Sequence, residues 1–426
     1  MPECKEIRQK LPTFTQVYFI IPIVERLILF HFSNIRIREC LLYLVMGMAL
    51  PMKTRINSID VLRGIVMVVM ALDHVRDYFS GFKFEPTDLQ HAGTGLFFTR
   101  WVTHYCAPVF IFLSGTSAGL SAERESGEQR GRAWRLLTRG LWLIVLEVTV
   151  VRLGWAFDVN YSLVFLQVIW AIGISMVALS GLIFLPRLLI VFIGLVMIFG
   201  HNLLDGVHPA GSMGVLWDFL HVQGPLRYGH GNTLFIIYPL IPWIGVMAVG
   251  YCFGAIFRME EGGRNRWLYG IGLGAMTLFV ALRGVNGYGD PSPWHAQGAW
   301  WRTVLSFINC SKYPPSLLYL LMTLGPAIAA MPLLERMSGR VGGVFKVYGR
   351  VPLFYYILHI YLVHGLAVGA SYLFRGGEHV EVFSHPGYSL GVVYGVWVLA
   401  VVILYFPCRW FMGVKMRRRE WWWSYL

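Results

Sequence analysis

From about residue 55 onward the chain alternates long apolar stretches with short polar turns. A helix needs roughly 17–25 mostly apolar residues to cross a hydrocarbon core. Ten stretches qualify: about 59–79, 96–120, 140–157, 162–185, 188–205, 232–257, 267–283, 314–333, 351–373 and 389–409. The pattern predicts an all-α, polytopic membrane protein of about ten transmembrane helices. The first span stands apart, because its unbroken apolar centre runs only from Gly64 to Leu72. Asp60 and Arg63 precede that centre, and Asp73, His74, Arg76 and Asp77 follow it. An ionised residue in mid-bilayer costs roughly 3 kcal/mol on insertion scales and usually faces a cavity or a partner. This helix is therefore the leading candidate for a functional site.

The loops sort by charge. One set carries Lys53 and Arg55, then Arg124 to Arg139, Arg187, Arg258 to Arg266, Arg336 to Arg350, and Lys415 to Arg419. The alternate set is poor in bases and longer: 80–95, 206–231, 284–313 and 374–388. By the positive-inside rule the basic set is cytoplasmic, so both ends of the helical unit face the cytosol. The longer outward loops, rich in Gly, Pro, Trp, His and Asp, read as a recognition surface or as caps on the bundle. Residues 1–52 form an extension, either an interfacial helix or an over-extended reading frame beginning before Met52; 53–414 form the membrane domain and 415–426 a basic-aromatic cytoplasmic tail.

Composition agrees. Of 426 residues, 56% are hydrophobic and 14% charged, where soluble domains carry about 25% charge. The net charge of +13 lies in the short loops and reads as a topology signal rather than as a nucleic-acid surface. Six cysteines show no CxxC spacing, so neither a disulfide framework nor a zinc site is expected. Gly270, Gly272 and Gly274 follow no strand and read as close helix packing, not as a nucleotide loop.

The opening Ser58-Ile-Asp60-Val-Leu-Arg63-Gly64, with His74 ten residues after Gly64, resembles the first helix of the transmembrane acyltransferase superfamily. The closer likeness is to the heparan-α-glucosaminide N-acetyltransferase catalytic-domain family and its bacterial relatives of unknown substrate. Cys106-Ala-Pro108-Val-Phe110-Ile-Phe112-Leu-Ser-Gly115-Thr-Ser117 looks like that family's second helix. The stretches from Gly200-His201-Asn202 and Tyr238-Pro239 onward are similar to the bacterial branch, and the resemblance covers roughly 55–410. It implies transfer of an acetyl group from cytosolic acetyl-CoA, as co-substrate, to an amino sugar or another glycan or metabolite on the outer side of a membrane. The implied location is the bacterial inner membrane, with no haem or metal. The chain departs from the animal enzymes in three places. His74 stands where they have asparagine, His104 where they have aspartate, and His91, the nearest match to their loop histidine, is out of register with the Pro108 motif.

Helical geometry adds to the resemblance. Eleven residues make about three turns, so Arg63 and His74 share a face roughly 16 Å apart. Asp60 and Arg63 lie one turn apart, as do His74 and Asp77, with Met67 and Met70 between. Arg63, with Asp60, is assigned to the anionic donor, or alternatively to an ion pair anchoring the helix end. His74 is assigned as general base, oriented by Asp77 or Asp73, with His91 as its rival. Arg100 and His104, at i and i+4, could hold the acceptor; so could His201, Asn202 and Asp205, which could equally staple a helix end. Glu147 is expected to pair with Arg152 in a structural role. His359 and His364, five residues apart, match one helix face poorly. The rival function is a transporter of a small anionic or sugar-like solute, suggested by intramembrane charge and by Pro239 and Pro242 as helix breakers. No convincing internal repeat supports it.

Overall fold

A computed structural model describes residues 55–124, 128–229, 231–380 and 386–418. The extension at 1–52 and the tail beyond 418 lie outside the described residues. The helices run in chain order as α1 (Asn57–Phe79), α2 (Thr94–Trp101), α3 (Cys106–Arg124), α4 (Gln129–Leu146), α5 (Arg152–Ala156), α6 (Val168–Leu182), α7 (Arg187–Gly200), α8 (Gly211–Leu220), α9 (Ile241–Phe253), α10 (Glu261–Val285), α11 (Trp300–Ile308), α12 (Leu317–Glu335), α13 (Gly339–Arg350), α14 (Pro352–Phe374) and α15 (Leu390–Arg417). A helix lies on each of the ten expected spans. Seven of them are long and apolar enough to cross a membrane by length and composition, the α2–α3 run counting as one. Of the other three, α1 is too charged, α4 carries several arginines, and α6 is only 15 residues long.

The fold is mostly helical, but the described residues include a small three-stranded sheet, two of whose strands the sequence reading assigned to helical spans and the third to a loop. Strand β1 (Leu163–Leu166) pairs in parallel with β3 (Asn232–Ile236), which pairs antiparallel with β2 (Gly224–Tyr228). A short apolar run fits a strand as well as a helix start. Here Phe165 and Phe235 face each other in register.

Burial separates the inner helices from the outer ones. The α2–α3 and α9 spans are largely enclosed, whereas α10 and α15 leave most of their apolar surface exposed, including Val280, Val402, Phe406 and Trp410. Such faces suit lipid contact, because chain tails solvate them as a core would. Helix α1 runs through the middle. Its backbone meets that of α13 closely: a Cβ on Gly349 would overlap the carbonyl oxygen of Asp60, and one on Gly64 that of Phe345. Gly272 plays the same part between α10 and α12, where a Cβ would come within 2.6 Å of the Ala329 nitrogen; Gly270 and Gly274 face open space. Pro242 sits in the first turn of α9, where its missing N–H is no loss. It starts a helix rather than breaking one, which removes an argument for a transporter.

Glu147 begins a π-helical turn (Glu147–Val151), and its carboxylate accepts from the backbone N–H groups of Gln167 and Trp170 at 3.2 and 3.1 Å. It caps α6 instead of pairing with Arg152. The latter donates to Asp158 and to backbone carbonyls of the 158–163 turn. The structural reading of Glu147 holds, with a different partner.

Candidate functional site

Two cavities approach each other along α1. The first opens at the end bearing Arg55, has a volume of about 450 Å³, and is lined by Arg55, Arg63, Arg139, Arg350 and Lys415 together with Met67, Ser117 and Tyr356. The second opens at the far end, has a volume of about 560 Å³, and is lined by Met70, Asp73, His74, Arg76, Asp77, Glu85, Arg100 and Lys312 among others. Phe110 and Val168 line both, so these two side chains form a shared wall.

At the first cavity Asp60 is buried and does not pair with Arg63. It accepts from Arg55, with Nε at 2.7 Å, and from Arg350, with Nε at 3.1 Å. Arg63 instead donates to the Ser117 hydroxyl at 2.7 Å and to the carbonyls of Leu113 and Gly349 at 3.4 Å. The expected ion pair fails because α13 brings Arg350 against α1 beside Gly349. The outcome is a guanidinium anchored by neutral groups in a cavity with four other cations.

At the second cavity the acids are likewise engaged away from the histidine. Asp73 takes Arg76 at 2.6 Å, Arg100 at 2.6 Å, Thr103 at 2.9 Å and Lys312 at 3.5 Å. Asp77 takes Arg76 at 2.9 Å. Neither carboxylate orients His74, contrary to the expectation. His359 does so from α14: its Nε2 lies 2.6 Å from His74 Nδ1, and the two rings lie nearly coplanar, 15° apart. The tautomers follow from the backbone. His359 Nδ1 lies 3.1 Å from the carbonyl of Tyr355 and must donate to it. A neutral His359 then accepts at Nε2. Its partner, His74 Nδ1, donates, and the lone pair of His74 falls on Nε2, which has no hydrogen-bond partner among the described residues. Trp155 packs edge-on against this ring at 4.8 Å. His364, five residues beyond His359, bonds to the Gly154 carbonyl at 2.9 Å and pins α14 to α5.

The remaining candidates divide. Arg100 joins the second cavity through Asp73. His104 lines neither cavity; it is buried against Tyr319, whose hydroxyl donates to the His104 carbonyl at 2.7 Å. His91 sits on the exposed loop between α1 and α2, 2.6 Å from Asp88. This contact and the Gln90 N–H hold the Asp88 carboxyl below its ordinary range. Phe84 of that loop lines the second cavity and packs on His91, which itself stays outside. His201, Asn202 and Asp205 also lie outside both cavities, at the end of α7. There Asn202 bonds to the Leu317 N–H at 2.9 Å and to Asp205 at 3.0 Å.

Lys312, Arg350 and Lys415 were visible in the sequence only as loop charge, and His359 only as a poorly spaced histidine. Each comes from a helix or loop far along the chain, and no local motif marks it. The family described as heparan-alpha-glucosaminide N-acetyltransferase, catalytic, matches residues 55–284. That range takes in α1, His74 and the wall residues Phe110 and Val168, and ends before Lys312, Arg350, His359 and Lys415. No curated protein matches the chain.

Proposed function

The chain belongs to the heparan-alpha-glucosaminide N-acetyltransferase catalytic family, and from that premise we propose that it moves an acetyl group across a membrane, from acetyl-CoA in the Arg63 cavity to an acceptor in the His74 cavity. The observation that carries the reading is that Phe110 and Val168 line both cavities, with Arg63 in one and His74 in the other. Positive-inside sorting puts the Arg63 cavity on the cytosolic side, where CoA is made. Arg63, Arg139, Arg350 and Lys415 face the donor's phosphates, for which guanidinium is a good partner. The pantetheine arm runs past Met67 to bring the thioester to the shared wall. The acceptor, an amino sugar or another glycan amine or hydroxyl, enters from the far side among Asp77, Glu85 and Arg100.

The chemistry then balances on one nitrogen. The acceptor's amine or hydroxyl attacks the thioester carbonyl while His74 Nε2 removes its proton. A bond from acceptor to acetyl carbon forms, the carbon–sulfur bond breaks, and the proton passes from His74 to the departing CoA sulfur. His359 spreads the transient positive charge through the Nδ1–Nε2 hydrogen bond. General base catalysis of this kind supplies about 10²–10⁴ in rate.

The test uses intact protein in nanodiscs. Acetyl-CoA binding is expected in wild type and in His74→Ala, and it should weaken by about tenfold or more in Arg63→Ala, as expected for a lost charge-assisted contact. Slow thioester hydrolysis should persist in wild type and fall in His74→Ala. Absence of donor binding at millimolar acetyl-CoA overturns the enzyme reading in favour of a transporter.

A further inference from the structure

We propose that His201, Asp205 and His221 bind a divalent transition-metal ion of the zinc class, which clasps the cap of the second cavity. The α7 helix tightens into a 3₁₀ turn over His201–Leu204, which turns His201 into the interior at 1% exposure. After α8 the chain returns with His221, also buried, and the two rings lie 5.8 Å apart. Ligand atoms from His201, Asp205 and His221 all fall within 4.8 Å of one another. Among the described residues, neither ring nitrogen of His201 has a hydrogen-bond partner. A buried imidazole with both nitrogens unpaired is costly, and a coordinate bond from one of them removes most of that cost.

The donor set argues the ion's class. Two imidazoles and one carboxylate, with a fourth position left for water, suit zinc or a neighbouring first-row ion rather than calcium or magnesium. Around a tetrahedral ion with bonds of about 2.0–2.1 Å, ligand atoms stand roughly 3.3 Å apart. The cluster is wider than that, so His201 must close in by about an ångström through ring rotation. His221 Nε2 donates to Asp205 Oδ1 at 2.9 Å, and the ion would take the place of that proton. The outer support is also built. Asn202 donates to Asp205 Oδ2 at 3.0 Å while its own carbonyl is fixed by the Leu317 N–H, so the carboxylate presents Oδ1 to the histidines.

The site would join the end of α7 to the exit of α8, and Gln223, two residues past His221, lines the second cavity. The metal's place is therefore to hold the β2–β3 hairpin over the acceptor. Sequence alone gave no metal, because His221 lies 16 residues from Asp205 and fits no ligand motif.

The experiment is metal analysis of tag-free, chelator-stripped protein after zinc reloading, with thermal unfolding alongside. Expected results are about one zinc per chain, an unfolding temperature that rises with zinc, and loss of both in His201→Leu, with His91→Ala behaving as wild type. Asp205→Asn, which keeps a hydrogen-bonding group at that position, covers the case in which His201→Leu does not fold; it should weaken zinc affinity by about tenfold or more. Full zinc stoichiometry in His201→Leu, wild-type zinc affinity in Asp205→Asn, or no uptake by wild type, overturns the proposal. So does a His201→Leu protein that is more stable than wild type at every zinc level. None of these readouts depends on acetyl-CoA, so they stand apart from the donor-binding test.

Discussion

Asp60 and Asp73 sit on the same helix and carry the same charge, yet they are neutralised in different ways. Asp60 is held by two arginines, one of them, Arg55, half exposed at 54%. Asp73 is enclosed and shared by Arg76, Arg100 and Lys312, with Thr103 on the same oxygen as Arg76. In each case the neighbour that sequence assigned to the acid, Arg63 or His74, is left to other partners and faces a cavity. The charged ends of α1 therefore separate two tasks. The carboxylates tie α1 to its neighbours, and the residue three positions after one and one position after the other lines a cavity.

Breaking Asp73 should have the larger consequence. Asp73→Asn leaves three buried cations without their shared anion, and removing one partner of a buried pair costs about 3–5 kcal/mol. Loss of folded protein in detergent, read by thermal unfolding, is expected. His359→Leu comes next: donor affinity should stay at wild type while transfer slows by roughly 10–100-fold and its pH profile moves, because the His74 tautomer is no longer fixed. A purely structural His359 would leave the pH profile of any residual activity in place. Asp60→Asn should cost only about 1 kcal/mol, since one of its partners is well exposed to water. If Asp60→Asn proved as damaging as Asp73→Asn, the contrast between the two ends would collapse. His91→Ala should change transfer by less than about twofold, because His91 lies outside both cavities; greater loss would make it the base in place of His74. Its effect on stability should also be small, and should vanish in acid. Asp88 has a depressed folded-state carboxyl, so its contribution is present above the unfolded value and lost as pH falls through the folded one.

The sequence singles out α1 by its charges but not the partners those charges take. Six ionisable groups around a nine-residue apolar centre mark α1 through the cost of burying charge, which is a local property of the chain. Partner choice is not local. Asp73 finds Arg100 at 27 residues' remove, and His74 finds His359 at 285. An i, i+3 or i, i+4 rule sees only neighbours on the same helix, so it offered Arg63 and Asp77 instead. His359 and His364 looked mismatched because one face was asked to hold both. In the fold His359 turns to α1 and His364 to α5, as the bonds to His74 and Gly154 require. The sheet was missed for a different reason: Leu163–Leu166 and Asn232–Ile236 adjoin apolar helices and merge with them in any hydropathy count.

The shared wall of Phe110 and Val168 has an electrical consequence. When two water-filled vestibules reach towards each other from opposite faces of a bilayer, the membrane potential falls mostly across what separates them. In the proposed topology that insulation is the layer formed by Phe110 and Val168. One elementary charge moved through the whole field is worth about 2.3 kcal/mol per 100 mV. A proton passed between an acceptor on one side and a sulfur on the other would traverse much of that drop at this spot. Turnover in sealed vesicles should then respond to an imposed voltage, and a narrow aliphatic in place of Phe110 should let ions leak.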